Sequence, residues 1–521
     1  MPGMMQTVEV DEREQNAHYE QRWLILVVLC LSLVMVILGN TVLNVAIPTL
    51  VRQLKASSTE LQWMVDAYGL VFAGLLLTCG ALGDRFGRKG ALQTGLIIFG
   101  IASLLSTFAT EPIHLIVTRA LMGVGAALVM PATLSILTNV FPPHERARAI
   151  AIWAGLAGAG AAIGPIAGGY LLEHFYWGSV FFLNLPVVAV ALTAGAVLLP
   201  TSKDPAQPPL DIPGALLSVA GLGSLLYAII EAPNKGWSGA STLMWFTLAA
   251  VFVGGFALWE QRSPHPMLDL RYFRDRRFST SSAAVMLVFF AMFGTFFLMT
   301  QYLQLVHGYS ALAAGVRTAP SALTMMFVAP SSARVVERLG ARKVVSAGLA
   351  IVAIGMLLMS TMGVHTPYWH FLGALLTMSV GMGLTMPPCT AMIMSSLPLG
   401  KAGVGSAVND TTRELGGALG VGVLGSVLAS VYASHLHHAA ANLAPNVMAA
   451  ASASLGSALS VTGVPGLADA ARQAFIDGLG VATTIGAVVA AMGAMLVLRF
   501  LPDEHHLAMQ TDETHVVPAE V

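Results

Sequence analysis

Charge is scarce in this sequence. Of 521 residues only 10% are Asp, Glu, Lys or Arg, whereas 56% are hydrophobic and the mean hydropathy is +0.74. Soluble domains carry roughly 25% charge, so a soluble globular protein is excluded and a chain that crosses a bilayer many times is implied. Cysteine is scarce too: Cys30, Cys79 and Cys389 all fall in apolar runs, and neither a disulfide framework nor a zinc site is implied. Residues Met1 to Gln21 have no apolar core of the signal-peptide kind and carry Asp11, Glu12 and Glu14, so no cleaved leader is expected and the first span, from about Trp23, is retained. Missing as well are HExxH, GxSxG and Walker-type strings, which speaks against a membrane enzyme or a nucleotide-driven pump; no cofactor is implied. The net charge of −1 says nothing about partners, and nothing points to nucleic acid.

What is present is a series of apolar runs long enough to span a bilayer. They lie near 23–50, 60–80, 90–108, 113–138, 147–172, 179–199, 211–231, 242–259, 278–304, 310–332, 343–362, 368–394, 402–431 and 474–500, fourteen in all. If the first tail is cytoplasmic, 19 Lys and Arg fall inside, only Arg52, Lys55, Lys235 and Arg472 fall outside, and Arg119, Arg317 and Arg413 lie within spans. That asymmetry predicts both termini in the cytoplasm. The Ala- and Ser-rich segment 446–463 is read as part of a long outer loop, because a fifteenth span would move Arg499 outside.

An internal repeat is visible. Asp84-Arg85-Phe86-Gly87-Arg88-Lys89 recurs as Glu337-Arg338-Leu339-Gly340-Ala341-Arg342-Lys343, while Met130-Pro131 matches Met386-Pro387 and Pro142 matches Pro398. Two six-span halves with an inserted pair at 211–259 follow from it.

The first copy of that repeat sits in GALGDRFGRK, Gly80 to Lys89, a short basic loop between the second and third runs. It resembles the signature loop of the major facilitator superfamily, and Gly80, Asp84, Arg85, Gly87, Arg88 and Lys89 are its conformational motif residues. RALMGVGAALVMP, Arg119 to Pro131, resembles the fourth-span motif of that family. A buried guanidinium is costly unless paired or hydrated, so Arg119 is either a brace to helix carbonyls or part of a proton relay; the second half has Leu375 at the matching offset. Trp153 to Gly169, with Gly160, Gly164-Pro165 and Gly168-Gly169, is either a small-residue packing face or, by resemblance, the antiporter motif of exporters. WGSVFFLNLP, LDIPGALL and GYSALAAG resemble segments of the fourteen-span drug:proton antiporters.

Proton-coupled export requires a carboxylate in the bundle that is neutral in one state and ionised in another. Asp66, in LQWMVDAYGL, and Asp410 and Glu414, in SAVNDTTRELGG, stand where the quaternary-ammonium exporters are acidic. Asp410 and Glu414 are four apart and share a helix face, but Arg413 lies beside them, so a neutralised ion pair is the alternative. Trp63 and Tyr68 flank Asp66 and offer cation–π contact to a cationic cargo, or interface anchoring. In LGNTVLNVAIP, Leu38 to Pro48, the usual first-span acid is replaced by Gly39, with Asn40 the nearest polar residue. His435, His437 and His438 are expected in a solvated outer loop, with no metal site; Met325 and Met326 suit an adaptable apolar cavity or lipid-facing filler.

The resemblance covers nearly the whole chain. It implies an all-α polytopic membrane protein with the major facilitator fold: cytoplasmic tails 1–22 and 502–521, six-helix halves 23–199 and 278–501, two inserted helices in the 200–277 linker, and a long extracytoplasmic loop at 432–473. It implies a transporter of the bacterial cytoplasmic membrane whose partners are the bilayer, protons and a lipophilic small molecule. The expected activity is export of amphipathic, cationic drugs or dyes by proton antiport; the alternative is an endogenous lipid, antibiotic or metabolite as cargo.

Overall fold

A computed structural model describes residues 20–54, 58–204, 209, 211–439, 444–461 and 464–502. Inside a bilayer the backbone must satisfy its own hydrogen bonds, and a chain this apolar does so as helices. Fourteen long ones follow one another: α1 (Arg22–Gln53), α2 (Ser58–Phe86), α3 (Arg88–Thr107), α4 (Pro112–Val140), α5 (Pro143–His174), α6 (Asn184–Leu198), α7 (Ile212–Lys235), α8 (Ala240–Glu260), α9 (Arg276–Gln301), α10 (Ala311–Leu339), α11 (Ala341–Ser360), α12 (Tyr368–Ser395), α13 (Ala402–Ala439) and α14 (Leu467–Phe500). No strand occurs among the described residues. Among the described residues, thirteen helices are long and apolar enough to cross a membrane; the remaining long helix is α5, which carries the glycine-rich fifth segment.

Proline and glycine punctuate the series. Pro112 and Pro143 open α4 and α5, where the missing N–H costs nothing. Gly87, at φ +118°, separates α2 from α3, and Gly340, at φ +82°, separates α10 from α11. Only glycine enters that region without strain, so the repeated motif marks the same break in both halves.

The packing repeats with the motif. In the first half α1 lies against α4, α5 and α6, α2 against α4, and α3 against α4 and α6; in the second, α9 lies against α12, α13 and α14, α10 against α12, and α11 against α12 and α14. The halves meet through α2 with α13 and α5 with α10, while α7 and α8 form a hairpin that lies on α2 and α13 through α7. Small residues set the closest approaches: a Cβ on Gly95 would lie 2.7 Å from the Gly125 carbonyl oxygen, and one on Gly348 would lie 2.8 Å from that of Gly381, the corresponding crossing of α11 and α12.

Several boundaries differ from those read in the sequence. The GALGDRFGRK stretch is not a loop: Asp84 and Arg85 are in the last turn of α2, Arg88 and Lys89 in the first turn of α3, and Gly87 alone joins them. Helix α13 continues to Ala439 and α14 begins at Leu467, which shortens the connection expected at 432–473. The reason is composition, since alanine and histidine there extend a helix as readily as they populate a loop. His435, His437 and His438 therefore stand on the last turns of α13, and His435 Nδ1 lies 2.8 Å from Asp477 Oδ2 on α14. Within the connection, Pro445–Ala453 and Leu455–Ser460 are short helices of nine and six residues. Met326 lies along the α5–α10 contact, against Gly155, and Met325 is buried.

The glycine crossings make opposite predictions for one substitution. In an exposed first turn Gly90→Ala meets no atom within 4 Å, so it raises thermal stability through helix propensity, by up to about 1 kcal/mol. Gly95→Ala pushes a methyl into the α4 backbone and lowers stability by about 1–3 kcal/mol. Thermal unfolding of both purified variants checks the signs.

Candidate functional site

Buried charge is concentrated where the halves meet. The end of α2 and α3 that carries Asp84, Arg88 and Lys89 is called the basic face here. At this face Asp84 accepts from the backbone N–H groups of Gly403 (2.8 Å) and Val404 (3.1 Å), the first turn of α13, whose exposed N–H groups suit a carboxylate. Arg88 pairs with Asp84 at 2.8 Å and donates to the carbonyls of Leu399 (2.6 Å) and Gly400 (3.2 Å). Lys89 donates to the Ala196 carbonyl at 2.8 Å, and Arg85 lies over the Phe86 ring. Gly80 belongs to the same contact: a Cβ on it would meet the Gly403 oxygen at 2.6 Å. The motif thus closes the first half onto the second. In its second copy the matching acid, Glu337, is exposed.

Deeper, α4 supplies Arg119, fully buried. Its Nε donates to the Met64 carbonyl (3.0 Å) and its Nη1 to the Gly39 carbonyl (2.6 Å), tying α4 to α2 and α1. The guanidinium lies 4.5 Å from the Tyr68 ring centre, and Tyr68 in turn donates to the Val36 carbonyl at 3.2 Å. This is the geometry of a brace. It also uses up Tyr68, which at 2% exposure is held by Arg119 instead of being presented to a cargo, while Trp63 faces Tyr227 of α7 at 5.9 Å. Tyr68, two residues after Asp66, points away from it on the helix, whereas Trp63, three residues before, shares its face. Asp66 is half-buried on α2. A Cβ at Gly39 would lie 2.5 Å from the tip of the Phe99 ring.

On α13 the pair and its alternative are both present. Asp410 Oδ1 receives Arg413 Nη1 at 3.3 Å and Asn409 Nδ2 at 3.3 Å, and Asn409 is itself held by Thr390 at 3.1 Å. The Arg413 guanidinium lies 4.6 Å from the Phe289 ring centre and 5.6 Å from that of Trp153, which brings α9 and α5 to the cluster. Among the described residues, Asp410 Oδ2 is buried with no hydrogen-bond donor. Glu414, one turn further on and roughly 18 Å along α13 from its first residue, is half-buried and close enough to Tyr68 and Arg413 to feel their charge. Among the described residues it makes no hydrogen bond or ion pair. Such a carboxylate, inside a bundle and at the contact of two halves, is able to take up either a proton or a cation.

The glycines of the fifth segment act by closeness. Positions for a Cβ on Gly160 and Gly168 lie 3.3 Å from Ile37 and Val42 of α1, and that on Gly169 lies 3.3 Å from Leu312 of α10; Gly164 is buried, and the Pro165 side chain lies outside the described residues, as does that of Asn40. Helix α5 therefore packs α1 on one side and the other half on the other. What the sequence did not reveal is who answers these charges: carbonyls of Gly39, Met64, Leu399 and Gly400, N–H groups of Gly403 and Val404, and the faces of Trp153 and Phe289. Backbone partners carry no side-chain signal, and the rings read as ordinary core.

Comparison with known proteins follows the same outline. A family model described as "Major Facilitator Superfamily" matches residues 29–421. The "Multidrug efflux pump LfrA" of Mycolicibacterium smegmatis is 35% identical over 91% of this chain and 95% of its own, and the "Methyl viologen resistance protein SmvA" of Salmonella typhimurium is 35% identical over 92% and 97%. Among solved structures, the human organic anion transporter MFSD10 (TETRAN) superimposes with a TM-score of 0.62 at 15% identity, covering 92% of this chain and 99% of that one, a likeness of fold.

The α13 cluster predicts a specific non-additivity. Arg413→Met and Asp410→Asn each leave the other group without its partner and each lower thermal stability, Arg413→Met the more, by about 3–5 kcal/mol. The double variant recovers at least about 1 kcal/mol of the summed loss. Simple additivity in the cycle would show that the pair does not couple.

Proposed function

Because the chain belongs to the major facilitator superfamily, we propose that it is a proton-coupled exporter of amphipathic, cationic small molecules rather than an enzyme. The observation that carries this reading is Glu414, a carboxylate with no hydrogen bond or ion pair among the described residues, set inside the bundle at the α13–α2 contact. Two efflux or resistance proteins similar along nearly their whole length support export, and methyl viologen, in the name of one of them, is a dication. Drug and proton compete for the same negative charge: a cationic cargo occupies Glu414 only once its proton has left, and reprotonation releases the cargo. Asp410 and Asp66 are the further proton carriers. Arg119, with no carboxylate at residue 39 to pair with, holds the first half together instead of relaying protons.

Orientation follows from the charge count. The basic face is cytoplasmic and both termini lie inside, in the cytoplasmic membrane of a bacterium. In the arrangement seen, Asp84 and Arg88 seal that face, and breaking their bonds to α13 opens the path to cargo from the cytoplasm or inner leaflet. The stoichiometry decides the driving force. One inward proton across 100 mV supplies about 2.3 kcal/mol, so a monocation exchanged for one proton gains only from the pH gradient, and a second proton makes export respond to voltage.

Ethidium efflux from cells, at equal expression, tests the reading. The parent extrudes dye, a protonophore stops it, and Glu414→Gln lowers the rate at least ~10-fold, a loss of ~1.4 kcal/mol. Asp66→Asn lowers it as well. Dye export that ignores the protonophore sinks the coupling; a parent that moves neither ethidium nor methyl viologen makes a lipid, antibiotic or metabolite the better cargo.

A further inference from the structure

Two carboxylates outside this assembly converge at the basic end of the inserted hairpin. Asp211 caps α7: its Oδ1 accepts from Gly214 N–H at 2.9 Å and from Trp259 Nε1 at 2.7 Å. Glu260, the last residue of α8 and only 4% exposed, accepts at Oε2 from Leu268 N–H at 3.3 Å, in the segment that leads to α9. Each carboxylate keeps one oxygen in reserve: among the described residues, Asp211 Oδ2 and Glu260 Oε1 are both buried without a hydrogen-bond donor. These two oxygens flank the same point. A Cβ on Gly214 would lie 2.7 Å from Asp211 Oδ2 and 2.8 Å from Glu260 Oε1. The LDIPGALL string thus places a glycine three residues after its aspartate, and the missing side chain leaves the gap open.

Two buried carboxylate oxygens at one gap repel each other when both groups are ionised, and one proton held by the pair removes that repulsion. The surrounding charges do not supply the missing donor. Lys401, ahead of α13, acts on Glu260 through space, and the cavity of about 330 Å³ beside Asp211 is lined by Asp84, Arg85, Asp204, His265 and Lys401 among apolar side chains; none of these donates to either orphan oxygen.

We propose that Asp211 and Glu260 bind one proton between them, a site separate from the α13 carboxylates, and that this proton ties α7, α8 and the 261–275 segment together at the basic face. The proton enters from water on that face and returns to it. With the proton gone, two carboxylates repel across the Gly214 gap and the segment leading into the second half is loosened.

The folded chain then holds a proton that the unfolded chain, with ordinary carboxyls near pH 4, has given up. Stability accordingly falls as pH rises. Thermal unfolding of the full-length protein in detergent, from about pH 5.5 to about pH 8.5, reads it: the parent loses roughly 2–4 °C more than either Asp211→Asn or Glu260→Gln. Asn retains the helix cap. An infrared carbonyl band of a protonated carboxyl at neutral pH, present in the parent and absent from both variants, gives the same answer where a variant is too unstable to melt. A pH slope kept by Asp211→Asn assigns the proton to Glu260 alone, and a slope kept by both variants places it elsewhere. Parent stability restored at high pH by sodium or magnesium chloride identifies a metal cation. Each of these three results overturns the proposal.

Discussion

A guanidinium inside a helix bundle must find its acceptors in protein, and the architecture of this chain depends on how three of them do so. Arg88 ends on two carbonyls ahead of α13, Arg119 on carbonyls of α1 and α2, and Arg413 on Asp410 and two aromatic faces. Each solution links elements distant in sequence. The first holds the halves to each other, the second holds one half together, and the third gathers α5, α9 and α13. Charge that would be expensive in lipid becomes the means by which helices with featureless apolar surfaces acquire fixed neighbours.

Symmetry sets the frame within which these links differ. The glycine break between α2 and α3 recurs between α10 and α11, and the packing order recurs with it. The charges do not recur: Glu337 is exposed where Asp84 caps a helix, and Leu375 stands where Arg119 braces. A duplicated scaffold therefore carries a one-sided seal at the basic face and a one-sided set of acids on α13, so that the halves are alike in shape and unlike in chemistry.

Much of this was legible in the sequence because hydropathy, Pro and Gly act locally. Fourteen runs became fourteen helices, and the Asp-Arg-x-Gly-Arg string located the junction of α2 and α3. What stayed hidden was contact between distant residues. Tyr68 read as a ring for cargo because it neighbours Asp66 in sequence, whereas three-dimensional packing gives it to Arg119. The histidines near residue 435 read as loop because helix ends have no hydropathic edge in an alanine-rich stretch. The Arg413 alternative was visible three residues from Asp410, but Trp153 and Phe289 were not.

The glycine at 39 has a bearing on engineering. Phe99 fills the volume beside it, with the tip of the ring 2.5 Å from where a Cβ would stand. An aspartate placed at 39 therefore has to come with a turn of that ring or with a smaller residue at 99, so residues 39 and 99 form one unit of exchange across α1 and α3.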